Sequence, residues 1–222
     1  MPFGSLEGIG PGAKVTFIGY ESATYPHDSW LGRVINPLAE AMDDKGILPM
    51  GKTAYKLRSP PPPAHLRQRV QGKIDLGIRA INTFLTCCRG QRMGIFAGSG
   101  VGKSVLMSML ARYSNADVNV IGLIGERGRE VQEFLQDDLG EEGLKRSVVI
   151  VATSSDSALL RRQATYLTLT VSEYFRDQGK NVLCMIDSMT RFATARFLNR
   201  KRQQGAVGRR CGDDGEIIAR SD

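Results

Sequence analysis

Residues 97–104 read Ala97-Gly98-Ser99-Gly100-Val101-Gly102-Lys103-Ser104, between the apolar run Met93-Gly94-Ile95-Phe96 and a second one, Val105-Leu106-Met107-Ser108-Met109-Leu110. This order predicts strand, glycine-rich turn and helix, the setting of a phosphate-binding loop. Gly98, Gly100 and Gly102 let the backbone turn tightly and aim its N–H groups inward. A helix starting near Lys103 adds the positive end of its dipole. Lys103 is placed to reach terminal phosphates, and the Ser104 hydroxyl to join the shell of a Mg²⁺ ion. The pattern ordinarily opens with Gly. Ala97 stands there instead, a mild departure because the later glycines do most of the wrapping. The alternative, a plain turn between a buried strand and a helix, explains the glycines but not the Lys-Ser pair that follows them.

Three further apolar runs lie downstream. Val118–Ile124 leads into Gly125-Glu126-Arg127-Gly128-Arg129-Glu130, Ser147–Ala152 is a second, and Val182–Ile186 ends at Asp187-Ser188. Each reads as a buried strand of a parallel sheet. An acid at the carboxyl end of such a strand points into the ligand crevice. An apolar run ending in Asp by itself marks only a turn or cap. Paired with the phosphate loop, Asp187 reads as the acid that holds Mg²⁺ through a water, opposite Ser104. Glu126, at the end of a neighbouring strand, is placed to position an attacking water, where an isolated Glu would read as a solvated acid in a charged turn.

Gly98–Ser104, Gly125–Glu130, Glu173-Tyr174-Phe175-Arg176-Asp177-Gln178-Gly179-Lys180 and Asp187-Ser188-Met189-Thr190-Arg191-Phe192-Ala193 occur in this order. Together they resemble the rotary ATPase superfamily, whose best-known member is the ATP synthase beta subunit. They are most similar to its flagellar-export branch, sister to the ATPases of type III secretion injectisomes. The resemblance covers residues 1–193. It implies an α/β fold, a RecA-like P-loop core with a parallel sheet, preceded by part of a small β-barrel domain. It implies ATP and Mg²⁺ as ligands. Nucleotide contacts are expected from Ala97, Gly98, Ser99, Gly100, Val101, Gly102, Lys103, Ser104, Val105 and Arg191. Lys103, Glu126 and Arg127 take the catalytic roles: Glu126 polarises the water and Arg127 helps set the pocket. Ser104 and Asp187 take the Mg²⁺ shell. Noncatalytic subunits of the superfamily carry Gln where Glu126 stands, so a catalytic subunit is implied. The implied setting is the inner face of the cell membrane, in the cytoplasm. The implied assembly is a homohexamer meeting export-gate and stator-type proteins and chaperone–substrate complexes, with peripheral membrane contact and no nucleic acid.

Composition fits an ordinary globular chain. Of 222 residues, 41% are hydrophobic and 24% charged, enough for one good core. No apolar run approaches the ~20 residues of a membrane span, and the Met1-Pro2-Phe3-Gly4 start lacks the basic and apolar stretches of a signal peptide. Cys87, Cys88, Cys184 and Cys211 show no metal-knuckle spacing and fit a reduced, cytosolic chain, with Cys184 inside a buried strand. His27 and His65 are isolated. The net charge is +7, but the basic residues lack aromatic interleaving, which argues a solvated surface rather than a polynucleotide groove. An RNA-dependent hexameric motor of the same superfamily is the reading this disfavours.

The chain divides into residues 1–58, a partial N-terminal β-barrel domain; 59–193, an incomplete ATPase core; and 194–222, a divergent tail expected to be disordered. In the first part, Lys14–Ile18 and Trp30–Ile35 read as strands of hairpins. Ser59-Pro60-Pro61-Pro62-Pro63 is a stiff linker. Ile74, Ile78, Ile81 and Leu85 fall at helical spacing, and Leu159–Phe175 reads as a long helix. In the tail, Arg200-Lys201-Arg202-Gln203-Gln204-Gly205 and Cys211-Gly212-Asp213-Asp214-Gly215 carry no sustained apolar period. This suggests a shifted reading frame or a truncated gene, with a lineage-specific basic tail as the alternative. Where relatives place a second arginine and an adenine-stacking aromatic, the similarity has ended. A nucleotide-binding piece without turnover is therefore the competing functional class.

Overall fold

The computed structural model describes residues 22–67, 69–98 and 100–197, together with Gly10, Gly12, Ala13, Lys14 and Thr16. Its centre is a four-stranded, all-parallel sheet. Strand β2 (Arg33–Ile35), β6 (Val118–Glu126), β7 (Ser147–Thr153) and β8 (Val182–Asp187) lie in the order β2-β7-β6-β8. Val118 pairs with Val182 and Asn119 with Ser147; β6 and β7 end opposite each other at Glu126 and Thr153, while β8 ends at Asp187 opposite Leu123. Two small antiparallel pairs flank the sheet: β1 (Ala23–Thr24) with β3 (Tyr55–Lys56), and β4 (Gln71–Lys73) with β5 (Cys88–Arg89). Such pairs are consistent with part of a β-barrel.

Both faces of the sheet are covered, as near-continuous apolar strands require. The side chains alternate with period two. Val118, Val120, Ile124, Val148, Ile150 and Ala152 join one core, and Ile121, Leu123, Val149 and Val151 the other. On the first face lies α5 (Ala158–Asp177), which buries Ala164, Leu167, Val171 and Phe175 at helical spacing. Its hydroxyls fold back onto the helix: Thr168 Oγ1 donates to the Ala164 carbonyl at 2.8 Å and Thr170 Oγ1 to that of Tyr166 at 3.0 Å. Gly122 lets α5 approach closely; a Cβ there would meet Thr168 Oγ1 at 2.6 Å.

The opposite face carries α1 (Arg79–Phe84), α2 (Lys103–Tyr113), α3 (Gly128–Glu133), a π-helical turn over Phe134–Leu139 and α4 (Gly140–Lys145). Met107, Leu110 and Ala111 of α2 pack with Val131, Phe134 and Leu139. A polar clamp ties the far end of α2 to the sheet. Buried Asn119 donates to the Ala111 carbonyl at 2.8 Å and to Ser147 Oγ at 3.3 Å, and Arg146 Nη2 donates to the Ser114 carbonyl at 2.8 Å. Asn119→Ala leaves that carbonyl and hydroxyl without their donor inside the core. It is expected to lower stability by about 1–3 kcal/mol, read as the urea midpoint. A loss below about 0.5 kcal/mol, the scale of an ordinary surface change, would show that the clamp is idle.

The strands at 118–126, 147–153 and 182–187 and the helices at 103–113 and 158–177 fall where the sequence placed them. Four expectations need correction. Trp30–Ile35 is no hairpin arm: Arg33–Ile35 pairs in parallel with Val148–Ile150 at the edge of the main sheet, and Trp30, Ile35, Leu48 and Leu57 share a core with β6, β7 and α5. The helix expected from Ile74 to Leu85 is only the six residues of α1. Asp75 Oδ1 accepts from Gly77 N–H at 2.8 Å and Asn82 Nδ2 at 2.6 Å, a turn that delays the helix. Met93–Phe96 forms no strand: residues 91–98 are irregular, and Phe96 is 98% exposed. An apolar run becomes a strand only against a sheet edge, and among the described residues β8 pairs on one side only. For the same reason Cys184 of β8 is exposed, not buried. Val15, Phe17 and Ile18 of the Lys14–Ile18 run lie outside the described residues. So do residues 198–222, which make up most of the expected tail, whereas residues 189–197 are helical.

Candidate functional site

The parallel strands end on one side of the sheet, the side on which open parallel sheets take their ligands. The start of α2 faces this side. Gly100 (φ +76°) and Gly102 (φ +94°) hold left-handed conformations just before it, and a Cβ at Gly98, Gly100 or Gly102 would meet no atom within 4 Å. Gly102 caps the helix, its carbonyl accepting from Leu106 N–H at 2.9 Å. Lys103 and Ser104 therefore occupy the first helical turn, Ser104 in the open. Ala97, Gly98, Val101 and Val105 are exposed around them; Ser99 lies outside the described residues.

Lys103 Nζ reaches across to Asp187 Oδ1 at the end of β8. The Asp187 carboxyl is deeply buried, with a side chain 5% exposed, while that of Lys103 is 30% exposed. Glu126 stands at the end of β6, one strand over, its side chain 16% exposed. Arg191, on the helix after β8, places Nε 3.5 Å from Glu126 Oε1. The fold thus gathers Lys103, Asp187, Glu126 and Arg191 from a loop–helix junction, two strand ends and a following helix. Arg127 behaves differently. Its side chain is 79% exposed and pairs loosely with Glu130 at 3.8 Å, outside the buried group.

The sequence reading passed over Glu130. It sits at the third position of α3, where its carboxylate accepts from the Arg127 backbone N–H at 3.3 Å, a common way to close a helix start. From there it hydrogen-bonds the Glu126 carboxyl. Burial first, then Glu130, then the Asp187 charge push Glu126 up to about 7, against the pull of Arg191 and Lys103. Glu130 is held below the usual carboxylate range, chiefly by its bond with Glu126. The shared proton therefore rides on Glu126.

This pair sets a pH dependence. The folded Glu126 is raised above the unfolded value of 4.5, so its favourable protonation is complete below pH 4.5 and is lost as pH rises through about 7. Glu130, shifted the other way, acts below pH 4.5, outside this window. Glu126→Gln keeps the neutral form at every pH. The variant is expected to match the parent near pH 4.5. By pH 8 it should be more stable by about 1–2 kcal/mol, the shift discounted for solvent contact. Thermal melts at the two pH values measure this, and equal melting temperatures at pH 8 would contradict the assignment of the proton.

The donors suit a magnesium ion. Ser104 and Asp187 are hard oxygen ligands, and Mg²⁺ takes few protein ligands beside waters and phosphates. They stand at the helix start and the facing strand end, with Lys103 as the counter-charge. Among the described residues no cluster of three or more His, Cys, Asp and Glu side chains forms an all-protein cage.

Known proteins match this chain over most of its length. The family described as "ATP synthase alpha/beta family, nucleotide-binding domain" matches residues 77–199. The chain is 58% identical over 195 residues to a flagellum-specific ATP synthase of Caulobacter vibrioides, covering 88% of this chain and 44% of that protein. It is 45% identical to a type 3 secretion system ATPase of Xanthomonas euvesicatoria, covering 87% and 44%. Its fold matches the assembled ATPase EscN in complex with its central stalk EscO, from the enteropathogenic E. coli type III secretion system. That match has a TM-score of 0.83 and 42% identity, across 100% of this chain and 52% of that one. The chain thus spans less than half the length of the curated relatives it matches.

Proposed function

The chain belongs to the ATP synthase alpha/beta family, and from that premise we propose that it carries the nucleotide site of an ATPase that energises flagellar protein export. The observation that carries the reading is the convergence of Lys103, Asp187 and Glu126 where the phosphate loop meets the ends of β6 and β8. The higher identity to the flagellum-specific relative than to the injectisome ATPases favours export of flagellar proteins over that of virulence proteins.

The residues divide the work. Gly98, Gly100 and Gly102 present backbone N–H groups to the phosphates, and α2 adds its dipole. Lys103 rests on Asp187. An incoming phosphate competes for that ammonium, and the Asp187 carboxylate is then free to face Ser104. Ser104 and Asp187 would hold Mg²⁺, which supplies neutralisation of phosphate charge when bound. Glu126 in its ionised form orients the attacking water and takes up its proton. Arg191 steadies that carboxylate and faces the terminal phosphate. Phosphate placement close to Glu126 brings further negative charge, so the ionised form depends on the nearby cations.

The assembled state of EscN with its central stalk supports an oligomer here with a stalk-type partner; export-gate proteins as further partners and the cytoplasmic face of the membrane as the setting belong to the same proposal. Among the described residues no helix is long and apolar enough to cross a membrane. Two measurements test the reading. Calorimetric titration of the chain with Mg-ATP should show one saturable binding event per chain. A chimaera carrying residues 22–193 within the full-length Caulobacter protein should restore flagellar protein secretion to a strain lacking its own copy. A folded chain with no saturable binding would overturn the site, and a chimaera that hydrolyses ATP without supporting export would overturn the flagellar assignment.

A further inference from the structure

Arg161 has no role in the reading above, yet it stands at the site. It lies one turn into α5, whose start is capped by the Ser157 hydroxyl accepting from Leu160 N–H. Its Nε is buried without a hydrogen-bond partner, and among the described residues no acid pairs with it. The stem is held against Gly125, the residue before Glu126. A Cβ at Gly125 would meet Arg191 Cδ at 2.7 Å, Arg191 Cβ at 3.3 Å and Arg161 Cδ at 3.4 Å. The left-handed φ of +76° and this close approach leave room for glycine alone. Two arginine stems therefore meet over one bare Cα, Arg191 reaching Glu126 at 3.5 Å and Arg161 reaching no acid.

We propose that Arg161 is a positioning residue for the terminal phosphate, acting through Arg191. The inference rests on the ATPase reading of this site. The Arg161 stem walls one side of Arg191 and restricts it to the conformers that face Glu126 and the crevice. Its charge opposes full closure of Arg191 onto Glu126. That leaves Arg191 N–H groups free for a phosphate oxygen. An arginine buried at Nε and left without an acid carries a desolvation cost that an incoming phosphate relieves.

The test compares Mg-ADP with a non-hydrolysable Mg-ATP analogue by calorimetry, in the parent, Arg161→Met, Arg161→Lys, Arg191→Met and the double Met variant. Methionine keeps most of the stem and removes the charge. Arg161→Met is expected to bind Mg-ADP within about twofold of the parent and the triphosphate analogue about five- to tenfold more weakly. Arg161→Lys should recover most of that loss. The double variant should lose little beyond Arg191→Met, because the two act as one unit. Unchanged analogue affinity in Arg161→Met overturns the proposal. So does an equal loss for diphosphate and triphosphate with a lowered melting temperature, the mark of a structural role. Additive losses in the double variant overturn the route through Arg191. A folded parent that binds no Mg-ADP sinks the ATPase reading itself, and this proposal with it.

Discussion

Lys103→Ala is expected to weaken Mg-ATP binding by about 2–3 kcal/mol, roughly 30- to 150-fold in Kd. The ammonium stands at the start of α2 beside the phosphate loop, and the backbone N–H groups around it cannot replace its charge. The same change strips Asp187 of its partner, and Asp187 is only 4% exposed. A buried carboxylate left alone is costly, so the variant should also melt earlier. The two effects separate by temperature, since binding is measured well below the melting transition. Lys103→Arg gives a second handle. It keeps the charge and the Asp187 pair, so it restores stability more than it restores binding, because the fork does not fit a cradle shaped for a point charge. Calorimetry on folded protein decides the matter, and parent-like affinity in Lys103→Ala would remove the phosphate loop from the site.

The parts legible in the sequence are those with a local cause. β6 and β7 are runs of Val, Ile and Leu buried on both faces, β8 is a shorter apolar run at the sheet edge, and α5 repeats its apolar residues at helical spacing. Lys103, Glu126 and Asp187 stand at the ends of such elements, so the element fixes the direction of the side chain. What stayed hidden depends on contacts between distant segments. Arg33–Ile35 reads like any short strand, and only its pairing with β7 places it in the main sheet. Met93–Phe96 has the composition of a strand, yet it stays irregular although, among the described residues, β8 pairs on one side only, and no local pattern reveals whether a run meets an edge. Glu130 carried the signal of a helix-start acid, which explains its backbone bond but not its grip on Glu126. Arg161 carried no signal at all. In Leu159-Leu160-Arg161-Arg162 it looks like a solvated cation, and only the bare Gly125 makes it a neighbour of Arg191.

Glu126→Gln should leave Mg-ATP binding within about twofold of the parent and lower hydrolysis by ~10²-fold or more, measured in the full-length chimaera. In the proposed role the carboxylate aids the water rather than the phosphates, so its loss is expected in kcat rather than in affinity. Gln keeps the volume and can still hydrogen-bond Glu130, which holds the surrounding geometry. The proton on Glu126 sharpens the expectation. With Glu126 raised to about 7, part of the population is protonated at neutral pH, and kcat/KM should rise with pH through that region. Gln, fixed in the neutral form, should show a flat and low profile across the same range. The variant that is more stable at pH 8 is thus expected to be the inactive one. Above about pH 7 the site holds an ionised carboxylate beside Asp187 and Glu130 at a cost to folding, and in the proposed role that charge is the one hydrolysis uses. A Gln variant with parent-like kcat, or with a parent-like rise in rate through pH 7, would assign water activation to another group.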